Sequence, residues 1–342
     1  MVIAFDIFRE NGMAGIAFGK NNETSAVFPC DAPCRQMMLQ TWEEMHTFTS
    51  FFNKTVRFFE EQYNEPLEFA YFVVPYDFSY LQKARIKESV KNARIPRVRC
   101  CNCLEVVAWE HAFAEERTYF FCQLEKDRIE VAFVETGSGV VETIGASGIR
   151  LVSGEETQKL QKRLTDEINL LFKETVQDWN CVSRVVLVGR SPHSLVSLLE
   201  GITGKKCYKM KNNAVRGLVD QMQWMNKGNR NTPLLLPMQH YNLWAAMGES
   251  GEKDVVINRY STIPTLQTAK LLISTEKTLY LYEGNYMNPR FDTRIAALDL
   301  SRAREGSEIE CEINIDANGE ITASVKDEKG EMLIPNTVLP AL

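Results

Sequence analysis

The sequence of 342 residues lacks the long apolar runs that cross membranes. It contains no stretch of about 18 consecutive apolar residues, so we expect neither a transmembrane helix nor a membrane partner. The segment Met1–Asp6 has no basic residues ahead of its apolar run and reaches an aspartate too early for a secretory signal peptide. These absences predict a cytoplasmic protein whose thiols stay reduced.

Positive charge and metal-binding motifs are also scarce. The 39 Lys and Arg residues and the 45 Asp and Glu residues give a net charge of -6, which disfavours binding to nucleic-acid phosphates. A single CxxC spacing, Cys100 to Cys103, occurs without the second pair that a zinc site of this type needs, and the four histidines are not at ligand spacings. Cysteines do cluster at Cys100, Cys101 and Cys103, but this segment predicts a buried strand, where free cysteine packs as a small hydrophobe. We therefore expect no metal site.

What is present is an ordinary globular composition. With 44% hydrophobic and 25% charged residues, the chain can bury a core, and its length corresponds to roughly two domains. Patterning in the first two-thirds predicts two successive units, each with a strand meander, a helix, a buried strand and another helix. The predicted strands are 2–7, 13–18, 24–28, 69–74, 97–101, 118–123, 129–135, 139–144 and 184–188. The predicted helices are 37–63, 79–92, 104–114, 153–178, one from 193, and 212–226.

Two of these helix starts carry a capping-box pattern, Ser79 with Gln82 and Ser153 with Glu156. The pattern changes near residue 227, after which short strands alternate with turns and no helix is indicated. The predicted strands there are 254–258, 268–274, 278–282, 308–314 and 320–326. This region therefore predicts an all-β sandwich.

Several short motifs occur in a fixed order along nearly the whole chain. They are Val74–Ser79 with Gln82–Lys83, Ala93–Ala112, Val186–Ser191, Leu234–Leu236, Thr262–Thr265, and Ile315–Gly319 with Ser324–Asp327. In this order they resemble the seventy-kilodalton heat-shock (DnaK-like) chaperone family. The resemblance implies a reduced, two-lobed α/β domain of the actin-like (duplicated ribonuclease H-like) fold at 1–231, with lobes at about 1–115 and 116–231.

The resemblance also implies a linker and a second domain. The apolar interdomain linker is expected at 232–238, with Leu234, Leu235 and Leu236 as its apolar residues. A β-sandwich resembling the peptide-binding domain of the family is expected at 239–342.

The family is an ATPase, yet the positions that would hold the nucleotide are substituted. Its first phosphate loop, DLGTT, corresponds to residues 6–10, where Phe8 replaces a glycine and would fill the phosphate space. Its second loop, DLGGGT, corresponds to residues 123–128, where charged side chains replace three glycines. Asp6, Gly189 and Ser191 remain from the site. We expect no ATPase activity and no cofactor, with weak ATP–Mg²⁺ binding as an alternative.

Two insertions typical of the family find no room in this sequence. The intervals between the meander and strand 69–74, and between Gly148 and strand 184–188, are too short to contain them. The resemblance therefore assigns no catalytic lysine and no subdomain that closes over adenine. We also expect no helical lid after the sandwich.

The substituted loops form a group of charged residues that we call the charged cluster. Its members are Arg9, Glu10, Glu125, Lys126, Asp127, Arg128 and Arg190. We hypothesise that they pair across the cleft between the lobes and join them in place of a nucleotide. Two alternatives are solvated loop tips, which contribute little to stability, and a site at Arg9, Lys126, Arg128 and Arg190 for another anion.

The leading hypothesis for function is a nucleotide-independent, chaperone-like protein that binds extended peptide segments or a protein partner. The candidate peptide-binding residues are Trp244, Ala245, Ala246, Met247, Leu271, Leu272, Ile273 and Leu279, and core packing explains each of them at least as well. The family's groove loops align with 244–247 and with the region of 271–273. The alternative is a structural or regulatory adaptor that acts on an authentic chaperone or assembles through the actin-like core. Leu234, Leu235 and Leu236 would then form a fixed strut.

Overall fold

The computed structural model describes the chain as two units. It describes all residues except 9–14, 20–25, 30–32, 35–36, 77, 111–116, 126–127, 138, 190–191, 211–217, 219–233, 237–240, 250, 260, 285–292, 317–318 and 341–342. The first unit consists of Met1–Phe78 and Arg85–Leu236, and the second consists of Ser79–Ala84 and Pro237–Leu342. The whole is mixed α/β, with four sheets.

The first sheet of the first unit has five strands in the order β3-β2-β1-β4-β5. Its strands are β1 (Val2–Asp6), β2 (Gly15–Gly19), β3 (Ala26–Pro29), β4 (Phe69–Val74) and β5 (Arg97–Asn102). The first three form an antiparallel meander, whereas β4 and β5 run parallel to β1. Parallel neighbours need crossover connections, and helices α1 (Trp42–Tyr63) and α2 (Tyr80–Val90) supply them.

Both helices begin at capping boxes. At α1 the Thr41 hydroxyl accepts a hydrogen bond from the Glu44 N–H at 3.2 Å, and the helix ends at Asn64 in the left-handed conformation. At α2 the predicted box is confirmed, because the Ser79 N–H donates to Gln82 Oε1 at 2.8 Å and the Gln82 N–H donates to the Ser79 hydroxyl at 3.2 Å. Local sequence thus sets where these helices start.

Aromatic rings fill the core between α1 and the first sheet. Phe5 stacks on Phe72 with ring centroids 5.0 Å apart, and Phe8 lies 5.4 Å from both Phe48 and Phe78. Aromatic pairs of this kind contribute about 0.5–1.5 kcal/mol each beyond their burial. Phe8, the residue expected to replace a glycine of the phosphate loop, has its ring buried in this apolar core.

The second sheet of the first unit repeats the arrangement of the first. Its strands are β6 (Arg117–Leu124), β7 (Arg128–Gly137), β8 (Val140–Arg150), β9 (Val182–Gly189), β10 (Cys207–Met210) and β11 (Leu234–Leu236). Their order is β10-β9-β6-β7-β8-β11, so β6–β10 reproduce the order of β1–β5. The predicted pair of similarly built units is confirmed at the level of strand order. Sequence patterning missed the short strand β10.

The expected linker residues Leu234, Leu235 and Leu236 come directly before the chain enters the second unit at Pro237, and they form the strand β11. The three residues pair in parallel with β8, where Leu234 lies opposite Val140 and Leu235 lies opposite Val141. They therefore belong to the second sheet of the first unit. The physical reason is that backbone N–H and C=O groups need partners, and the edge of β8 supplies them.

Three further helices belong to the first unit, and the second of them has bounds that differ from the prediction. Helix α3 (Cys103–Glu110) follows β5, α4 (Thr157–Glu174) follows β8, and α5 (His193–Thr203) follows β9. The predicted cap at Ser153 is wrong, because the N-cap of α4 is Glu156, whose side chain makes no capping bond. Its predicted end at 178 is also wrong, because Asp178 instead caps a separate 3₁₀ turn. The predicted helix 212–226 lies outside the described residues, apart from Leu218.

The strands of the second unit form two four-stranded sheets that share one apolar core. The first has the order β13-β12-β15-β16, from β12 (Asn242–Met247), β13 (Asp254–Ile257), β15 (Thr278–Gly284) and β16 (Thr293–Asp299). The second has the order β14-β17-β18-β19, from β14 (Thr265–Leu272), β17 (Glu308–Ile315), β18 (Ile321–Asp327) and β19 (Met332–Val338). Beyond residue 240, the described part of the chain is all β.

Membrane-spanning segments were not expected from the sequence. In the described part of the molecule, no helix is both long and apolar enough to span a membrane.

Candidate functional site

Buried polar side chains line one face of the β6–β7 hairpin. Gln123 lies opposite Glu130 in the strand register, and Glu125 and Arg128 each stand two residues from one of them, so the pleat directs all four to the same face. All four are buried. Gln123 Nε2 donates to Glu125 Oε1 at 2.7 Å, and the Glu125 N–H donates to the Arg128 carbonyl at 2.8 Å. Buried charges of this kind need hydrogen-bonding partners, and the hairpin supplies some of its own.

Tyr76 connects the two sheets of the first unit. It follows β4 of the first sheet, and its N–H donates to Glu130 Oε1 on β7 at 2.8 Å. Its hydroxyl donates to the carbonyl of Ala146 on β8. Gly148, opposite Glu130 in the register, leaves space for the ring, because a Cβ at this position would lie 3.3 Å from Tyr76 Cδ1. We call this set of contacts the Tyr76 clamp.

The start of α3 adds a further buried polar group. The Asn102 N–H donates to Glu105 Oε2 at 3.0 Å, and the Leu104 N–H donates to Asn102 Oδ1 at 2.8 Å. These bonds satisfy backbone donors that the first turn of a helix leaves open. Cys103 is fully buried in the same turn.

Of the residues expected to remain from a nucleotide site, two fall at the ends of strands. Asp6 is buried at the end of β1, and Gly189 ends β9 with φ of 76°, a conformation that favours glycine. Ser191 lies outside the described residues. Of the charged cluster, Glu125 and Arg128 are both on the β6–β7 hairpin, while Arg9, Glu10, Lys126, Asp127 and Arg190 lie outside the described residues.

Sequence reasoning missed Tyr76 and Glu130, which make the clamp. Glu130 carried a signal, since it interrupts an otherwise apolar strand at a position that the pleat directs to the same face as Gln123. Tyr76 carried none, because its partners are 54 and 70 residues away in the chain.

Most of the candidate peptide-binding residues belong to the core of the second unit. Residues 244–247, aligned with a loop, form part of strand β12. Buried positions are Ala245, Ala246, Met247, Leu271, Ile273 and Leu279. Trp244 is half-buried, and Leu272 alone among the candidates exposes most of its side chain, at 67%. Core packing therefore explains six of the eight.

Strand β14, which contains Leu272, is an exposed edge. Within the described chain it has one hydrogen-bonded neighbour, β17, with which it pairs over its full length without a register shift. Leu266 and Leu272 are 55% and 67% exposed. Between them, the Lys270 ammonium lies 2.9 Å from Glu308, and this hydrogen bond raises the pKa of Lys270. Its charge is thus partly offset by a neighbour on β17.

The other sheet edges of the second unit are less open to pairing. Strand β13 has four residues, and β16 joins β15 with a register shift between Leu281 and Tyr282. Strand β19 has two such shifts and contains Pro335, which has no N–H to donate. Irregular or proline-containing edges resist strand addition. Strand β14 has none of these protections.

Comparison with known proteins adds no relative. No protein-family model matches the chain, and no curated protein matches it. Within the residues that the structure describes, no group of three or more His, Cys, Asp or Glu side chains is arranged to hold a metal ion.

Proposed function

We propose that this chain is a nucleotide-independent, chaperone-like protein that binds an extended peptide along strand β14. The observation that carries the proposal is the regular, proline-free edge of β14 with two exposed leucines. An extended peptide adds to such an edge through backbone hydrogen bonds, while alternate side chains give specificity. The sequence resemblance to a chaperone family with a peptide-binding sandwich supports the same function.

The side chains around β14 indicate which peptides fit. Leu266 and Leu272 lie on one face of the strand, since their spacing is even, and they favour apolar peptide residues beside them. On the paired strand β17, Glu308, Glu310 and Glu312 alternate with the buried core residues. This acidic row favours basic peptide residues through charge complementarity. The proposed ligand is therefore an extended segment that combines apolar and basic residues.

The first unit supports independence from nucleotide. Its two sheets share one strand order, as expected for a reduced actin-like domain with two lobes. The Tyr76 clamp joins these sheets through the chain's own groups, so no bound phosphate is needed to connect them. We infer that this unit is a pseudo-ATPase and not an enzyme.

Peptide binding can be tested by fluorescence anisotropy with labelled peptides of alternating apolar and basic residues. Replacing Leu266 and Leu272 together by lysine should weaken binding at least about tenfold, because it removes apolar contact and adds repulsion of basic peptides. Met332→Lys on β19 is a matched control, since it changes an exposed apolar residue at the opposite edge and should leave binding unchanged. Methylating alternate peptide nitrogens should also abolish binding if backbone pairing is used.

Equal binding by the double variant and the native chain would contradict the β14 site. Absence of binding by every peptide would favour the adaptor function instead. Calorimetry with ATP–Mg²⁺ tests the nucleotide part separately, and saturable micromolar binding would contradict it.

A further inference from the structure

A second tyrosine clamp lies within the second unit. Tyr80 is the first residue of α2, and its N–H donates to both carboxyl oxygens of Glu283 on β15, at 2.9 and 2.7 Å. Its hydroxyl donates to the Leu339 carbonyl at 2.9 Å and accepts from the Ile321 N–H at 3.1 Å. The ring belongs to the apolar core of this unit. We call these contacts the Tyr80 clamp.

Glu283 is unusual for a carboxyl group because it is 4% exposed. Its direct neighbours in the sheet are Leu243 on β12 and Thr293 on β16, and neither carries charge. Its N–H partner opens a helix, where unpaired backbone donors and the helix dipole favour an acceptor. Glu283 is therefore buried between neutral strand neighbours and the start of a helix. Protonation of such a carboxyl group changes how strongly it holds that helix start.

We propose that Glu283 is a protonation-controlled anchor, which holds Ser79–Ala84 against the strands of the second unit more tightly when protonated than when ionised. The device lies outside the β14 edge and does not depend on peptide binding. The dependence on protonation follows from the geometry, because covering Glu283 with this segment removes its carboxyl group from water.

The ionisation of Glu283 supports this direction. Burial raises its pKa from 4.5 to about 7, against the opposing effects of Lys83 and of the Tyr80 N–H. Two further carboxylates, Asp316 and Glu320, act on the Tyr80 phenol. Burial first, and these two carboxylates with Glu283 in addition, raise the pKa of Tyr80 to about 12. The phenol therefore stays neutral while Glu283 titrates.

The direction of the pH effect on the anchored segment follows from proton linkage. A carboxyl whose pKa is higher when covered than when exposed binds its proton more tightly in the covered state. Acidification from pH 8 to pH 6 should therefore favour the anchored segment, by about tenfold for a pKa near 7. As the pH rises through 7, the covered carboxyl group of Glu283 loses its proton, and the hold on Ser79–Ala84 weakens.

Amide hydrogen exchange of Ser79–Ala84 in the full chain tests the proposal. After correction for intrinsic exchange rates, protection of the Tyr80 amide should rise about tenfold from pH 8 to pH 6. Glu283→Gln keeps an oxygen acceptor but does not titrate, so its protection should be the same at both pH values. Glu328→Gln changes an exposed glutamate of the same unit and should keep the native dependence.

Two results would overturn the proposal: equal protection of the native chain at both pH values, or an unchanged pH dependence in Glu283→Gln. Carbon-13 NMR of the Glu283 carboxyl needs no variant and covers the case in which Glu283→Gln does not fold. A titration midpoint near 7 supports the anchor, and a midpoint near 4.5 overturns it.

Discussion

The Tyr76 and Tyr80 clamps use the same pair of contacts in different surroundings. In each, a tyrosine N–H donates to a buried glutamate and the phenol donates to a backbone carbonyl. Glu130 lies on a hairpin face with Gln123 and other polar side chains, whereas Glu283 lies among neutral strand neighbours. The same contact pattern thus occurs around two buried carboxyl groups whose surroundings differ in polarity.

The two tyrosines also differ in how their rings are held. The Tyr80 ring is part of the apolar cluster of the second unit, and its hydroxyl both donates and accepts a backbone hydrogen bond. The Tyr76 ring lies against Gly148, and its hydroxyl donates to the Ala146 carbonyl. Each change at Tyr80 should therefore cost its unit more than the matching change at Tyr76.

Truncation of the rings should give the largest difference. Tyr80→Ala should destabilise the second unit by about 3–5 kcal/mol, because it leaves a cavity in the core and two unpaired backbone groups. Tyr76→Ala should cost the first unit less. Urea denaturation followed separately for each unit, for example by hydrogen exchange, measures both. Equal losses would contradict the difference between the clamps.

The second largest effect should be the pH dependence of stability that the titration of Glu283 causes. Below pH 4.5 Glu283 is protonated in both folded and unfolded chains, and its favourable contribution is then complete. As the pH rises to about 7, the unfolded chain loses the proton first, so about 3 kcal/mol of stability is lost. Comparing Glu283→Gln with the native chain from pH 4.5 to 8 isolates this contribution. Parallel curves for the two chains would exclude it.

Removal of the phenol oxygens should give a smaller and graded effect. Tyr80→Phe leaves the Leu339 carbonyl and the Ile321 N–H without their partner, which should cost about 2 kcal/mol. Tyr76→Phe removes the hydrogen bond to the Ala146 carbonyl, which should cost about 1 kcal/mol. Thermal unfolding at pH 6 measures both, and a larger loss for Tyr76→Phe would reverse the comparison.

The smallest effect should come from the glycine beside Tyr76. Gly148→Ala places a Cβ 3.3 Å from the ring, so the ring must shift by a few tenths of an ångström, and we expect a loss below about 1 kcal/mol. Gly201→Ala is the control, because this helical position has no atom within 4 Å of a new Cβ and should gain about 0.5–1 kcal/mol. A gain at both positions would show that the Tyr76 ring is loosely held.

The parts of the structure that depend on short sequence patterns were predicted well. The strand 69–74, the capping box of Ser79 and Gln82, and the repeated build of the first unit could all be derived from periodicity and turn chemistry. The predicted cap at Ser153 is wrong because a Ser-x-x-Glu pattern is short and not specific to a helix start; the N-cap here is Glu156, and its side chain makes no capping bond. Strand β10 was missed because its four residues carry little pattern.

The candidate sites were harder to predict because they depend on pairing across long stretches of chain. Trp244 to Met247 have the composition of a binding loop or of a strand, and only their pairing with β15 decides between the two. In the same way, the apolar sequence around Leu235 carries no signal for its pairing with Val141. The sequence around Glu283 is consistent with an exposed strand end, and its burial depends on Tyr80, which lies 203 residues earlier.

The short strand β11 has a consequence for how the protein avoids contact with its own copies. Open sheet edges are templates on which a second chain can grow, and they are a common start of aggregation. Here Leu234–Leu236 occupies part of the outer edge of β8, over Val140–Glu142, with backbone from the same chain. The edge of this sheet, in the part of the chain that the structure describes, is thereby a strand of only three residues, and short edge strands limit intermolecular pairing.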